Sequence, residues 1–315
     1  MRASAAARVW WQSTGFAFPA GLIGSDGLGM LRTERLIGGL VGLILASYAV
    51  AEPAFLDLKE DETELDLKTA AQKSNNPVSD AWLLILQNDL TLIHGDATDG
   101  SELRERLSFQ PVMPIPILGG DWNLVNRPVF QFFSSPVDDD LDSTDPFDGR
   151  TNGLGDTIFF SLLAPNRDDG FIWGVGPTFI FPTATEDVLG QEKWQAGPAA
   201  LAVRLGDKDG GWGLDHFNIG VLAQHWWSYA GDDDRRDTDQ SDIQYFINWR
   251  QTPTQLIGMT PNIQIDWKRS GSDRFSVPIG LGTIGFFKWG NTPIRWGVEL
   301  QHYVMQPDPA APDWN

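Results

Sequence analysis

The chain has 315 residues, no cysteine and a net charge of −19, with 14 Trp, 18 Phe and 33 Gly. Without cysteine there is neither a disulfide framework nor thiol chemistry, and the acidic balance argues against nucleic acid or anionic lipid surfaces as partners. A mean hydropathy of −0.22 excludes a bundle of transmembrane helices, but not a membrane β-barrel, whose strands give only alternate residues to lipid.

The first element is an apolar run, Leu36–Val50, that follows Arg32 and Arg35 and ends in Ala49-Val50-Ala51 before Glu52-Pro53. A basic region, an apolar stretch of about 15 residues and an A-x-A site describe a secretory signal peptide. A membrane anchor would need about 20 apolar residues. Met30 stands where such a peptide would start. Residues 1–51 therefore read as an over-extended start plus signal peptide, cleaved after Ala51. Residues 52–80 read as a periplasmic lead-in, a short helix or solvated linker, because Phe55–Ser74 is acidic and polar; a plug inside a barrel is the other reading.

From residue 81 onward the text turns strand-like. In Asp242–Arg250, Ile243, Tyr245, Ile247 and Trp249 alternate with Gln244, Asn248 and Arg250. In Gln255–Lys268, Ile263, Ile265 and Trp267 alternate with Gln264, Asp266 and Lys268. Period two is the strand signature. Runs of this kind fall at 81–93, 104–116, 121–134, 154–164, 171–181, 196–206, 213–227, 242–250, 255–268, 275–288 and 292–304. Most are about 10 to 14 residues long, which suits tilted membrane strands. Polar connections follow the odd runs and tight turns mostly follow the even ones, the asymmetry of extracellular loops and periplasmic turns.

The sequence thus predicts an all-β fold, an antiparallel transmembrane β-barrel of about 12 strands over residues 81–315. Eleven runs is an odd number and the chain stops at Trp314-Asn315 just after a loop, so the C-terminal strand is expected to be missing. Pro111, Pro114 and Pro116 crowd the second run, which predicts a bulged or shortened strand there. Trp173, Trp226, Trp227, Trp249, Trp267, Trp289 and Trp296 gather near run ends as an interfacial girdle would.

Facing can be assigned along each run. Arg106, Arg127, Arg204, Arg250, Lys268, Lys288 and Arg295 are placed inward, against Asp89, Asp266 and Glu299. A net basic interior in an acidic protein suggests a lumen that selects anions; interior packing by Arg paired with Asp and Glu is the competing explanation. Arg250, Lys268 and Arg295 are the first choices as pore-lining cations.

Arg104–Phe130 (RERLSFQPVMPIPILGGDWNLVNRPVF), with Asn76–Asp80 (NPVSD), Gly153–Phe159 (GLGDTIF), Trp173–Pro182 (WGVGPTFIFP) and Gly280–Phe286 (GLGTIGF), resembles the outer-membrane family associated with meta-pathway phenol degradation. That family is in turn distantly similar to long-chain fatty acid and aromatic-hydrocarbon uptake barrels. The resemblance spans about 75–315 and rests on glycines and prolines, so it carries fold better than substrate. It implies an outer-membrane transporter, and no catalytic residues come with it.

His94, His216, His225 and His302 do not sit at metal-ligand spacing, so neither a metal nor another cofactor is expected. A phospholipase would need Ser and His on one face, but Ser228 lies three residues from His225, on the opposite face of its strand. The acidic clusters Asp138–Asp140 (with Asp142, Asp145 and Asp148) and Asp232–Asp234 (with Asp237 and Asp239) read as solvated loops rather than Ca²⁺ sites. The expected protein is a non-enzymatic channel of the Gram-negative outer membrane for passive uptake of small hydrophobic or aromatic compounds, carboxylated ones included. The alternative is a structural or adhesive barrel with a packed interior. Expected partners are outer-membrane lipid and lipopolysaccharide, the barrel-assembly machinery and the solute.

Overall fold

A computed structural model describes residues 10–12, 15–17, 46–50, 60–79, 81–95, 101–138, 149–167, 170–290, 292–307 and 310–314. The rest of the expected start and signal peptide, and most of the first acidic cluster, lie outside the described residues. The protein is all-β apart from one helix, α1 (Glu60–Asn75), and short 3-10 turns. Strands β1 (Trp10–Gln12) and β2 (Gly15–Ala17) form a separate ribbon. All other strands belong to one sheet with antiparallel neighbours. They are β3 (Ala46–Val50), β4 (Leu83–Gly95), β5 (Ser101–Ile117), β6 (Trp122–Ser135), β7 (Thr151–Leu154), β8 (Thr157–Pro165), β9 (Phe171–Phe181) and β10 (Lys193–Arg204). After these come β11 (Phe217–Gly231), β12 (Asp239–Thr252), β13 (Gln255–Met259), β14 (Asn262–Asp266), β15 (Phe275–Trp289), β16 (Thr292–Met305) and β17 (Ala310–Trp314).

From β4 to β16 the ladder runs in chain order, with β7 and β8 as successive pieces along β6 and β13 and β14 as successive pieces between β12 and β15, and it then returns to its start. β16 pairs with β3 at Ile294–Gly297 and with β17 at His302, and both of these short strands pair with β4. β3 takes residues expected in the signal peptide, and β17 takes residues read as the final loop. The position expected to lack a strand is thus filled by two short pieces.

Proline and glycine locate the irregularities. The strand expected over 255–268 is interrupted at Thr260-Pro261 and resumes in the same register, as β13 and then β14. β5 is longer than expected, not shorter. Its pairing with β6 stops after Phe109↔Phe130 and resumes at Met113↔Asn126, a register that sets Pro111 across from Pro128. Neither proline has an N–H to give, so the ladder opens there without a bulge. Between β7 and β8 the register against β6 slips by one at Gly155-Asp156, a bulge that turns Asp156 inward.

The polarity is inverted relative to a water-soluble sheet. Leu86, Phe109, Phe132, Val175, Leu281 and Leu300 are exposed on the outer face, while Asp89, Arg104, Gln131, Gln195, Asp242 and Asn248 are buried on the inner one. Trp227, Tyr229, Trp194 and Trp267 stand exposed at one rim, and Trp82, Trp173, Trp212 and Trp289 at the other. Trp226, expected in the girdle, points inward instead: it is fully buried against Ile158 and Ile180 and donates to Thr178 Oγ1 at 3.0 Å. One apolar cluster, including Leu83, Val112, Val125, Phe160, Leu162 and Leu201, fills the interior near the short-turn end.

On β10, a Cβ on Gly197 would run into the carbonyl of His225 on β11. Gly197→Ala should destabilise the sheet by about 1–3 kcal/mol, the usual cost of overpacking. Urea unfolding in detergent micelles measures this, and an unshifted midpoint would mean that the strands can part at that point.

Candidate functional site

The inner faces of β4, β5, β6, β12, β13, β15 and β16 enclose a cavity of about 220 Å³. Its floor is the apolar cluster, closed from below by the end of α1. Ala71 and Val78 are buried, and Ser74, Asn75 and Pro77 line the cavity. The segment is pinned by Asn123 Nδ2, which donates to the Val78 carbonyl at 3.1 Å, and by the Val78 N–H, which donates to Asn76 Oδ1 at 3.1 Å. Residues 60–79 thus form a short helix, one of the forms expected for this lead-in, and its C-terminal end packs into the inner face. The helix C-terminus, the negative end of its dipole, is the end that reaches the cavity.

Above the floor runs a charged belt. Arg104, Arg106, Arg127 and Arg295 line the cavity with Asp89 and Glu299. Arg106 holds Asp89 through Nε at 2.8 Å and a closer contact from Nη2, while Gln87 donates to the other Asp89 oxygen at 2.9 Å. Arg127 donates to Gln110 Oε1 and lies over the Phe160 ring, 5.5 Å from its centre. Glu299 accepts from the Thr260 N–H at 2.9 Å and its hydroxyl at 2.7 Å. Asp242, buried behind the belt, accepts from Asn262 Nδ2 at 2.7 Å. Carboxylates are thus held by named donors, and four guanidinium groups face the same space.

The other expected site residues lie elsewhere. Arg250 is inward and buried, but at the short-turn end, bound to Asp209 at 2.9 Å. Asp266 is buried at the opposite rim beside Arg269 (3.3 Å) and Arg236 (3.7 Å). Arg204 is a correction: it faces outward at the end of β10 and pairs with Asp215 at 2.6 Å. Lys268 is another, because β14 ends at Asp266 and leaves Lys268 exposed in the following loop. Arg104, Asp242 and Tyr303 were missed, although Arg104 shares the face of Arg106 by simple alternation.

A lid closes the top. Residues 182–192, between β9 and β10, fold over the lumen with Val188 and Leu189 buried. Asp156, placed inward by its bulge, accepts the N–H of Gln191 at 2.8 Å and of Ala184 at 3.3 Å. Gln191 joins Gln195 and Gln240 in a buried triangle of amides. Arg235 donates to the carbonyls of Asp187 (3.1 Å) and Gly190 (2.6 Å). In the second acidic cluster, Asp237 meets Lys193 at 3.3 Å, and that ammonium holds its carboxyl below the usual range.

Comparison with family models, curated proteins and solved structures returns no match.

Asp156→Ala should loosen the lid by leaving the buried Gln191 N–H and the half-buried Ala184 N–H without an acceptor, at roughly 1–3 kcal/mol. Glu-C cleavage at exposed Glu186 is expected to quicken about tenfold or more, and unchanged cleavage would mean that the amide triangle alone holds the loop.

Proposed function

We infer that the chain is a Gram-negative outer-membrane β-barrel that passes small aromatic or hydrophobic solutes, carboxylated ones included, through its lumen. The observation that carries this reading is the inverted polarity, because only a wall bathed in hydrocarbon favours Leu and Phe outside with Asp, Arg and Gln within. Counting β7 with β8, β13 with β14, and β17 with β3, the ladder has twelve positions, an even number as such barrels require. The aromatic residues at both rims suit the two membrane interfaces.

The cavity sets the solute class. About 220 Å³ falls just below the roughly 300–1,000 Å³ of drug-sized pockets, so a molecule of one ring fits. Its walls divide into an apolar floor and a belt rich in guanidinium. An apolar ring would rest on Leu162, Leu201 and Phe160, with a carboxylate toward Arg104, Arg127 and Arg295, the arrangement by which guanidinium selects anions. Passage is diffusive and requires displacement of α1 below and the lid above. A packed, non-conducting surface barrel is the second reading, favoured by the closure of both ends.

Planar-bilayer recordings separate the two. The full chain should give rare or no steps, and removal of Glu60–Asn75 should give discrete steps with anion preference. That preference should fall several-fold in Arg295→Ala and in Arg127→Ala. Stable insertion without steps after the deletion would leave the packed barrel standing.

A further inference from the structure

The outer wall carries a second arrangement of chemical groups. β11 and β12 pair so that His225 stands directly across from Ser241, both with outward-facing side chains. His225 Nδ1 is 2.7 Å from Ser241 Oγ, and its Nε2 is 3.4 Å from Asp239 Oδ1. Trp267 Nε1 donates to the same Oγ at 2.9 Å. A hydroxyl has one hydrogen and two lone pairs, so with the indole N–H on one lone pair Oγ can either give its hydrogen to Nδ1 or accept from it. In the tautomer that this chemistry uses, Nδ1 accepts and Nε2 carries the hydrogen, at ion-pair distance from Asp239 but without a hydrogen bond to it. Trp227 packs edge-on against the imidazole, ring centres 4.0 Å apart, and fixes its plane. Hydroxyl, imidazole and carboxylate therefore sit in that order on one face, the first two hydrogen-bonded and the last two at ion-pair distance, the order in which hydroxyl nucleophiles are activated on unrelated folds.

We propose that Ser241, His225 and Asp239 form an ester-hydrolysing site on the outside of the sheet, acting on carboxylic esters with a long apolar acyl chain. Ser241 Oγ bonds to the carbonyl carbon as its proton passes to His225 Nδ1. The bond from that carbon to the alcohol oxygen then breaks, and the alcohol leaves with the proton from His225. Water attacks the acyl-serine in turn, giving a proton to His225, and the carboxylic acid departs as Oγ recovers its hydrogen. Trp267 Nε1–H, already aimed at Oγ, is the donor nearest the developing oxyanion. Asp239 acts through His225 as a positioning residue.

The acyl chain follows from the surroundings. The site lies between exposed Trp227 and Trp267 at the long-loop rim, above an outer face that carries Val221, Ala223, Ile243, Tyr245 and Ile263. The chain preference rests on the membrane orientation proposed above; the hydrolytic chemistry does not, and neither depends on the lumen.

The test uses the full chain in detergent micelles, with a fluorophosphonate probe and the p-nitrophenyl esters of butyrate and palmitate. One probe per chain should attach at Ser241, and palmitate should turn over faster than butyrate. Ser241→Ala should abolish labelling and lower turnover at least about a hundredfold. Asp239→Asn should lower turnover and move the acid limb of the pH profile to lower pH, because the carboxylate favours the imidazolium. Heat-modifiable mobility confirms that each variant is folded. Absence of labelling on the folded wild type, or full turnover in Ser241→Ala, overturns the site. Turnover of butyrate alone overturns the acyl-chain assignment while leaving Ser241 as nucleophile. Channel recordings decide the lumen separately.

Discussion

Every backbone N–H and C=O in the wall must find its partner in the next strand, and the rest of the structure depends on meeting that demand all the way round. In hydrocarbon no water replaces a missing partner, so a sheet must close. Here closure is made by β3 and β17, two short strands from opposite ends of the chain placed in one gap between β16 and β4. The breaks in the ladder fall where the chemistry leaves no choice. Pro111 faces Pro128, and Pro261 divides β13 from β14. The bulge at Gly155-Asp156 is put to use, since it aims the carboxylate that fastens the lid.

Closing the sheet also decides where charge can go. In the membrane barrel proposed above, inward positions could not be filled with apolar groups alone if solute is to pass, and outward positions could not hold charge without large cost. The arginines accordingly collect inside, where Asp89, Gln110 and Glu299 share the belt with them. Such buried pairs add little net stability. Their effect is on geometry: Arg106 and Asp89 lock each other, and Gln87 and Gln110 connect them to Arg127. A fixed ring of donors above an apolar floor could receive the amphipathic solute proposed above without having to rearrange.

Alternation made much of this legible before any coordinates. Strands such as β12 state their facing in nearly every residue, Phe246 excepted, and Asp89, Arg106, Arg127, Arg295 and Glu299 lie on the inward face. The failures have physical causes. Ala196–Ala202 of β10 is Ala, Gly, Pro and Leu on both faces, so nothing in it marks the inside, and Arg204 was assigned to the wrong face. Lys268 was read as part of a strand that ends at Asp266. The lid was illegible because Val188 and Leu189 have no period to announce their burial. Ser241 and His225 are 16 residues apart in sequence, and only the register between β11 and β12 brings them together. Spacing within a run pointed instead to Ser228, on the wrong face.

The helix described above is also an electrical element. α1 carries Glu60, Asp61, Glu62, Glu64 and Asp66 against Lys68 and Lys73, and it enters the lumen from one side only. In the membrane orientation proposed above, an applied potential would act on it unequally in its two directions. One polarity drives the acidic helix further toward the arginines, and the other draws it out. If the lumen conducts as proposed, a wall of symmetrical ladders with such a stopper at one mouth would behave as a rectifier, its resistance set by the sign of the applied field as well as its size.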